Sequence, residues 1–380
     1  MTIAAVRTHR VSVPLHTPFV TALRTATTVE SLLVEVVDAD GRSGFGEAPQ
    51  VWKVTGESVA GAAACVEQLI APALTGRDAD DVAGSARLVR AAAAGNHGVK
   101  AAADTALHDL AARRLGIPLV RLLGGTRLRV PTDVTLPAGD PDTLGAAARA
   151  RTAEGFRVLK VKVGKAGPGE RDAVAADIAR IRRVRAEAGP DALIRLDANQ
   201  GWTPRQAVRA IRGMQDAGLS IELVEQPVPA PDLDGLAWVS DRVDVPILAD
   251  EAVFGVRDLT EVIRRRAADM VNVKLAKCGG LGPARTLLEL AAAHDVGTMV
   301  GSMMETEVGV GAAASLVAAC GTTVVSDLDA AWFLAGSPLT GGLRYDGAEV
   351  VLPDAPGLGV AWSGAIAATR HRAMSLKEAP

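Results

Sequence analysis

The chain has 380 residues, 48% of them apolar, and a formal net charge of −3. That length fits two domains or one large barrel with an addition, and the near-neutral balance gives no reason to expect nucleic acid or an anionic membrane as partner. The most apolar window, AAWFLAG, falls far short of the about 20 residues that span a bilayer, and the opening MTIAAVRTHRVSVPLHTPF lacks the apolar core of a signal peptide. Cys65, Cys278 and Cys320 are widely spaced and odd in number. Neither a disulfide framework nor a zinc pattern follows, so a reducing cytoplasm is expected.

Residues 1–50 read as strands, with SLLVEVVDADGRSGFGEAP a hairpin turning at Asp-Gly. Between them PFVTALRTATTVE, polar and threonine-rich with Arg24 at its middle, reads as an active-site loop, and PQVWKVTGES as a second one. Residues 58–118 read as three helices that stop at Gly116-Ile117-Pro118. This first part, residues 1–125, is predicted to be an α+β module. From Val130 short apolar runs alternate with helical segments: VPTDVTL, VLKVKV, ALIRLDAN, IELVEQ, PILAD, MVNVKL, GTMVG and TVVSDLD. Pro204 marks the start of one intervening helix, and ARTLLELAAAHDV carries a clear 3.6-residue stripe. Residues 126–340 thus form an eight-stranded β/α barrel, and 341–380 short strands expected to fold back on the first module.

Polar residues close one barrel run after another: Lys160 and Lys162, Asp197 and Asn199, Glu225, Asp250, Lys274, Ser302, then Asp327 and Asp329. They recur roughly 25 positions apart, the length of a strand plus crossover helix, so they fall at the strand ends that converge on a barrel mouth. Three carboxylates on consecutive strands, Asp197, Glu225 and Asp250, repel unless a cation lies between them, and an all-oxygen set selects Mg²⁺ or Mn²⁺ over zinc. Asn199 shares their side and reads as an outer donor or indirect ligand. Lys162 and Lys274, on strands two and six, stand opposite each other, an arrangement suited to removing a proton from one face of a substrate and returning one to the other. A lysine does this if burial and neighbouring cations lower its pKa toward 7 or 8. Lys160 reads as the residue that tunes Lys162 or pairs with the carboxylates, and Lys277 is undecided.

The motifs K-V-K at 160–162, D-A-N at 197–199, E-Q-P at 225–227, A-D-E at 249–251 and N-V-K-L-A-K-C-G-G at 272–280 resemble, as a set, the signature of the enolase superfamily, muconate-lactonizing subgroup. The likeness extends to ALHDLAARRLGIPLVRLLGG and covers nearly the whole chain. It implies a modified (β/α)₇β TIM-like barrel under an α+β capping domain completed by the C-terminal tail. It also implies Mg²⁺ on Asp197, Glu225 and Asp250, Lys162 and Lys274 as acid and base, and a homo-oligomer, dimer or octamer. The shared chemistry of such enzymes is abstraction of the proton α to a carboxylate.

Asp327 and Asp329, i and i+2 on strand eight, add two negative charges and leave room for a substrate ammonium. This D-x-D resembles the dipeptide epimerase branch, where the pair holds the dipeptide's α-ammonium. PFVTALRT resembles the specificity loop of the L-Ala-D/L-Glu epimerases, which implies Arg24 against an acidic side chain, although Trp52 and Lys53 in the second loop could favour a different one. GSMMET at 301–306 also resembles that branch, with Glu305 orienting the lysine side and Ser302 donating to a substrate carbonyl. The expected activity is Mg²⁺-dependent epimerisation of a dipeptide. The alternatives are an N-acylamino acid racemase, an o-succinylbenzoate synthase, a muconate cycloisomerase, a dipeptide epimerase of non-acidic preference, or a non-catalytic metal-binding protein. GKAGPG and KCGGLG complete no nucleotide-binding pattern.

Overall fold

The computed structural model describes residues 1–21, 25–136, 139–164 and 172–368. The first module is a three-stranded antiparallel sheet of Ile3–Val20, Thr25–Asp38 and Ser43–Pro49. Its middle strand is apolar on both faces because both are covered. Leu32, Val34 and Val36 face a core shared with the helices that follow, while Leu33, one position out of phase, joins the barrel-side core. The helix His97–Leu115 lies close on the third strand: a Cβ at Gly46 would sit 1.9 Å from the Ala102 carbonyl oxygen. Only glycine against an alanine-rich helix allows that approach. The strands run further than expected, with Phe19 paired to Ala26 and Val20 to Thr25. Much of the predicted 18–30 loop is therefore ladder rather than loop, as its threonines favour. Arg24 and Leu23 lie outside the described residues.

Seven parallel strands follow in spatial sequence: Val134–Leu136, Val158–Lys162, Leu193–Asp197, Ile221–Glu225, Ile247–Ala249, Met270–Lys274 and Gly297–Gly301. Helices connect them; Pro204–Asp216, for example, opens on a Thr203 capping box with proline in its first turn. The sheet is closed by two bridges, Thr132 with Ser326 and Gly301 with Asp327. The predicted eighth strand is thus reduced to Ser326 and Asp327. Its hydroxyl side chains take ladder positions themselves: Thr298 N donates to Thr323 Oγ1 at 2.9 Å and Val300 N to Ser326 Oγ at 3.3 Å. The predicted first strand also divides. Arg129–Pro131 leaves the barrel to pair antiparallel with Glu349–Val351, and Val134–Leu136 stays.

The C-terminal strands lie against the first module. Leu15 bridges Leu334, Leu358 N donates to Asp109 Oδ1 at 2.6 Å, and Arg113 reaches the Val360 carbonyl at 2.7 Å. Among the described residues no helix is long and apolar enough to cross a membrane.

Candidate active site

Strand register builds the site. Lys162, Asp197 and Glu225 are direct Cα partners across three neighbouring strands, and Thr135, Lys160 and Arg195 align in the same way one residue pair below. Alternate residues share a face, so one row of charges lines the mouth and a second lies beneath it. Lys160, Lys162, Asp250, Lys274, Asp327 and Asp329 all line one cavity at the strand ends.

The three predicted metal carboxylates are buried. Lys162 Nζ donates to Asp197 Oδ2 at 2.5 Å, and Asn272 Nδ2 to Glu225 Oε1 at 2.7 Å. Lys274 donates to Asp250 Oδ2 at 2.8 Å and Lys277 to its Oδ1 at 2.5 Å. Glu225 Oε2 accepts no hydrogen bond among the described residues; Lys160 Nζ stands 3.6 Å away. Burial, then the Asp197 charge, pushes Glu225 up to about 7. Burial also opposes charge on Asp250, but Lys274 and Lys277 outweigh it and hold that carboxyl far below its usual range. The converse holds for Lys274: burial works against its ammonium, and Asp250 and Glu225 more than offset that, so its pKa is raised. Lys160 is raised likewise against burial by Asp327, Glu225 and Asp197. Carboxylates, not cations, are the nearest neighbours of these lysines.

Asp327 is held by the Lys160 ammonium, and Asp329 Oδ2 accepts from Thr135 N at 2.6 Å. Ser302 lines the cavity, with its N–H on the Asp327 carbonyl at 3.0 Å and its hydroxyl 3.4 Å from the same oxygen. Glu305 is buried, accepts from Met303 N at 2.9 Å, and is pushed up to about 8 by burial and by the Glu47 carboxylate. Asn199 donates to Glu251 Oε1 at 3.2 Å. Phe19 lies beneath Lys162, whose Nζ is 5.5 Å from the ring centroid. Lys53 lines the cavity, and Trp52 beside it is 61% exposed.

Two family models cover most of the chain: the mandelate racemase/muconate lactonizing enzyme N-terminal domain over residues 3–124, and the enolase C-terminal domain-like family over 143–366. The chain belongs to the enolase superfamily, in its mandelate racemase/muconate-lactonizing subgroup. It is 42% identical over 360 residues to the L-Ala-D/L-Glu epimerase of Bacillus subtilis, covering 95% of this chain and 97% of that one. The solved substrate complex of the Bacillus subtilis L-Ala-D/L-Glu epimerase superposes with a TM-score of 0.91 at 42% identity, over 97% of this chain and 100% of that one. The hydrophobic dipeptide epimerase of Enterococcus faecalis is 36% identical over 362 residues, 95% of this chain and 99% of its own.

The geometry brings several further residues to the site that the sequence pattern alone does not single out. Gln226 ties two strand ends together: its Oε1 accepts from Asp250 N at 2.9 Å and Ala252 N at 3.1 Å, and its Nε2 donates to the Val228 carbonyl at 3.0 Å. It does so from φ 35, beside Asn199 at 40 and Gln200 at 69. Non-glycine residues in this left-handed region cost energy, and here they cluster where the carboxylates are presented. Lys277, undecided from sequence, grips both the side chain and the backbone carbonyl of Asp250. Gly301 leaves room for two neighbours, since a Cβ there would meet Asn272 Oδ1 at 2.7 Å and Lys274 Cε at 2.9 Å. Glu251 lines the cavity and is pushed up to about 8 by burial and Asp250.

Asp133, 0% exposed, completes a second carboxylate group with Asp327 and Asp329, whose oxygens lie within 4.8 Å of one another. That second group is compact enough to hold an ion. Its Asp133 is already paired with Arg195 at 3.1 Å, however, and its Asp327 with Lys160. The signal for Asp133 and Asn272 was present as a polar residue inside each of the apolar runs VPTDVTL and MVNVKL.

Proposed function

We propose that this protein is a Mg²⁺-dependent dipeptide epimerase that moves the proton on the carbon α to the C-terminal carboxylate. One observation carries the reading: Lys162 and Lys274 enter a single cavity from strands two and six, with Asp250 between them and Asp327 and Asp329 on its wall. Asp197, Glu225 and Asp250 are assigned as the residues that would hold the divalent ion, although among the described residues their oxygens do not converge as those of Asp133, Asp327 and Asp329 do. Every donor is a carboxylate oxygen, and Glu225 Oε2 is buried without a hydrogen bond among the described residues. Once bound, such an ion supplies the positive charge that makes a proton α to a carboxylate labile.

The remaining work falls to side chains. Asp327 and Asp329 hold the dipeptide's N-terminal ammonium, which orients the α-carbon between the lysines. One lysine removes the proton, and the other, as ammonium, returns one to the opposite face. Lys274 becomes a base only when the charge of Asp250 is engaged elsewhere. Asn272 and Gln226 hold Glu225 and the Asp250 backbone in place. Asn199 and Glu251 line the cavity beside them, and Glu305 supports the Lys274 side. Ser302 steadies the Asp327 backbone and offers its hydroxyl to a substrate carbonyl. Arg24 is assigned to the substrate's side-chain carboxylate, with Lys53 a second cation at the cavity. The free Cys65, Cys278 and Cys320 suit a reducing cytoplasm.

The test is deuterium incorporation at Cα in D₂O with Mg²⁺, read by mass spectrometry over a dipeptide panel that includes L-Ala-L-Glu, with N-succinyl and N-acetyl amino acids as controls. Exchange in dipeptides, strongest with acidic second residues, is the expected result. Exchange with hydrophobic or cationic dipeptides keeps the epimerase and removes the Arg24 assignment. Exchange confined to the acylated controls overturns the reading.

A further inference from the structure

Asp133 has no part in the scheme above, yet it is fully buried against the two aspartates assigned to the ammonium. It sits just before the first barrel strand, and its backbone N–H donates to the Ser326 carbonyl at 3.1 Å. Thr132 Oγ1 accepts from Leu328 N at 3.0 Å, and the Tyr345 hydroxyl donates to the Leu328 carbonyl at 2.6 Å. The two segments are thereby locked side by side, which keeps the three carboxylates together. Asp133 Oδ2 meets Arg195 at 3.1 Å, while its Oδ1 has no hydrogen-bond partner among the described residues.

The local charges do not balance. Among the described residues three carboxylates touch two cations, Lys160 and Arg195. Both are shared: Lys160 stands 3.6 Å from Glu225 and 3.8 Å from Asp197, and Arg195 binds Glu222 at 2.6 Å. The other charged or titratable groups acting on the cluster are Lys162 and Lys274 from strands two and six and Tyr345 from the C-terminal hairpin. Neither lysine contacts it, since they pair with Asp197 and Asp250. Carboxylates this close and this buried do not all ionise without a further positive charge.

We propose that Asp133 is a third, positioning member of the ammonium subsite. While the subsite is empty the three aspartates share one proton, and the cluster releases it to solvent when a cationic α-amino group binds. The exchange balances: an ammonium enters, a proton leaves, and the charge of the cluster's surroundings is unchanged. Burial and Asp327 hold Asp133 well above the usual carboxylate range, and the same two causes place Asp329 at about 7, which agrees with a retained proton. Such a cluster selects for a substrate that carries its own positive charge, because a neutral acyl group leaves the proton where it is. This proposal rests on the dipeptide reading.

The experiment is calorimetric titration of the Mg²⁺-saturated enzyme with L-Ala-L-Glu near pH 6, where the dipeptide's amino group (pKa about 8) is charged. It is run in two buffers of different ionisation heat, which yields the protons released per dipeptide bound. About one proton is expected, with a KM that falls as pH rises toward the cluster's titration. Asp133→Asn should release less than half as much and flatten the KM profile, a change that a purely structural role would not produce. Binding by the wild-type enzyme without proton release overturns the proposal and leaves the epimerase reading standing, as does undiminished release by Asp133→Asn. If that variant does not fold, the wild-type proton count decides alone. Absence of binding by any dipeptide overturns both.

Discussion

Two groups of three carboxylates face each other across the barrel mouth, and they are neutralised in different ways. Asp197, Glu225 and Asp250 have Lys162, Lys160, Lys274 and Lys277 within ion-pair distance. Among the described residues Asp133, Asp327 and Asp329 have only Lys160 and Arg195, both shared with other carboxylates. Buried charge is costly unless paired. The first group meets that demand with lysine side chains, which is why it is the one proposed for a resident ion flanked by acid–base groups. The second is left short of positive charge, so it suits a cation that arrives with the substrate. Similar side chains are thus proposed for two tasks because their neighbours differ.

The largest way to break this comparison is to neutralise the second group alone. The double change Asp327→Asn, Asp329→Asn should lower kcat/KM for a dipeptide by about two to three orders of magnitude while leaving Mg²⁺ affinity, read by calorimetry, nearly unchanged. Equal loss in both measurements would mean that the two groups act as one. A smaller effect sharpens the other side. Gln226→Ala removes the link to the Asp250 backbone and should weaken Mg²⁺ binding by about 10- to 100-fold, with little change in the dipeptide KM once the metal is saturating. An unaltered metal affinity would reduce Gln226 to a packing residue.

The smallest effect concerns stability. Glu305 titrates near 8 in the folded chain and near 4.3 in the unfolded one. The folded state keeps a proton that the unfolded state has already lost, so this group's contribution to stability falls as pH rises from about 4 to 8. Glu305→Gln cannot titrate. Its Tm relative to wild type should therefore rise across that window, by about a degree or two per pH unit, and a constant difference would show that Glu305 is ionised throughout.

The barrel could be read from the sequence because its signal repeats. Each apolar run ends in a polar residue, and the period matches one β/α unit, so the strand-end positions of Asp197, Glu225, Asp250 and Lys274 are legible from the sequence alone. The short closing strand could not be read this way. TVVSDLD has a strand's composition, but Thr323 and Ser326 use their hydroxyls in place of backbone partners, and side-chain competition of that kind leaves no periodic trace. Nor were the ion-pair partners of the lysines legible, since they depend on which carboxylates stand nearest in three dimensions. Gln226 was hidden for a similar reason: a glutamine after a strand looks like an ordinary loop residue until its amide is seen spanning to Asp250.

The most direct test of the two-lysine account is to give Lys162→Ala and Lys274→Ala, separately, both epimers of one dipeptide in D₂O with saturating Mg²⁺. The account predicts that each variant still binds the metal but loses interconversion by about 10²- to 10⁴-fold, the contribution typical of a positioned acid or base. Interconversion of the two epimers at close to the wild-type rate by either variant would contradict it.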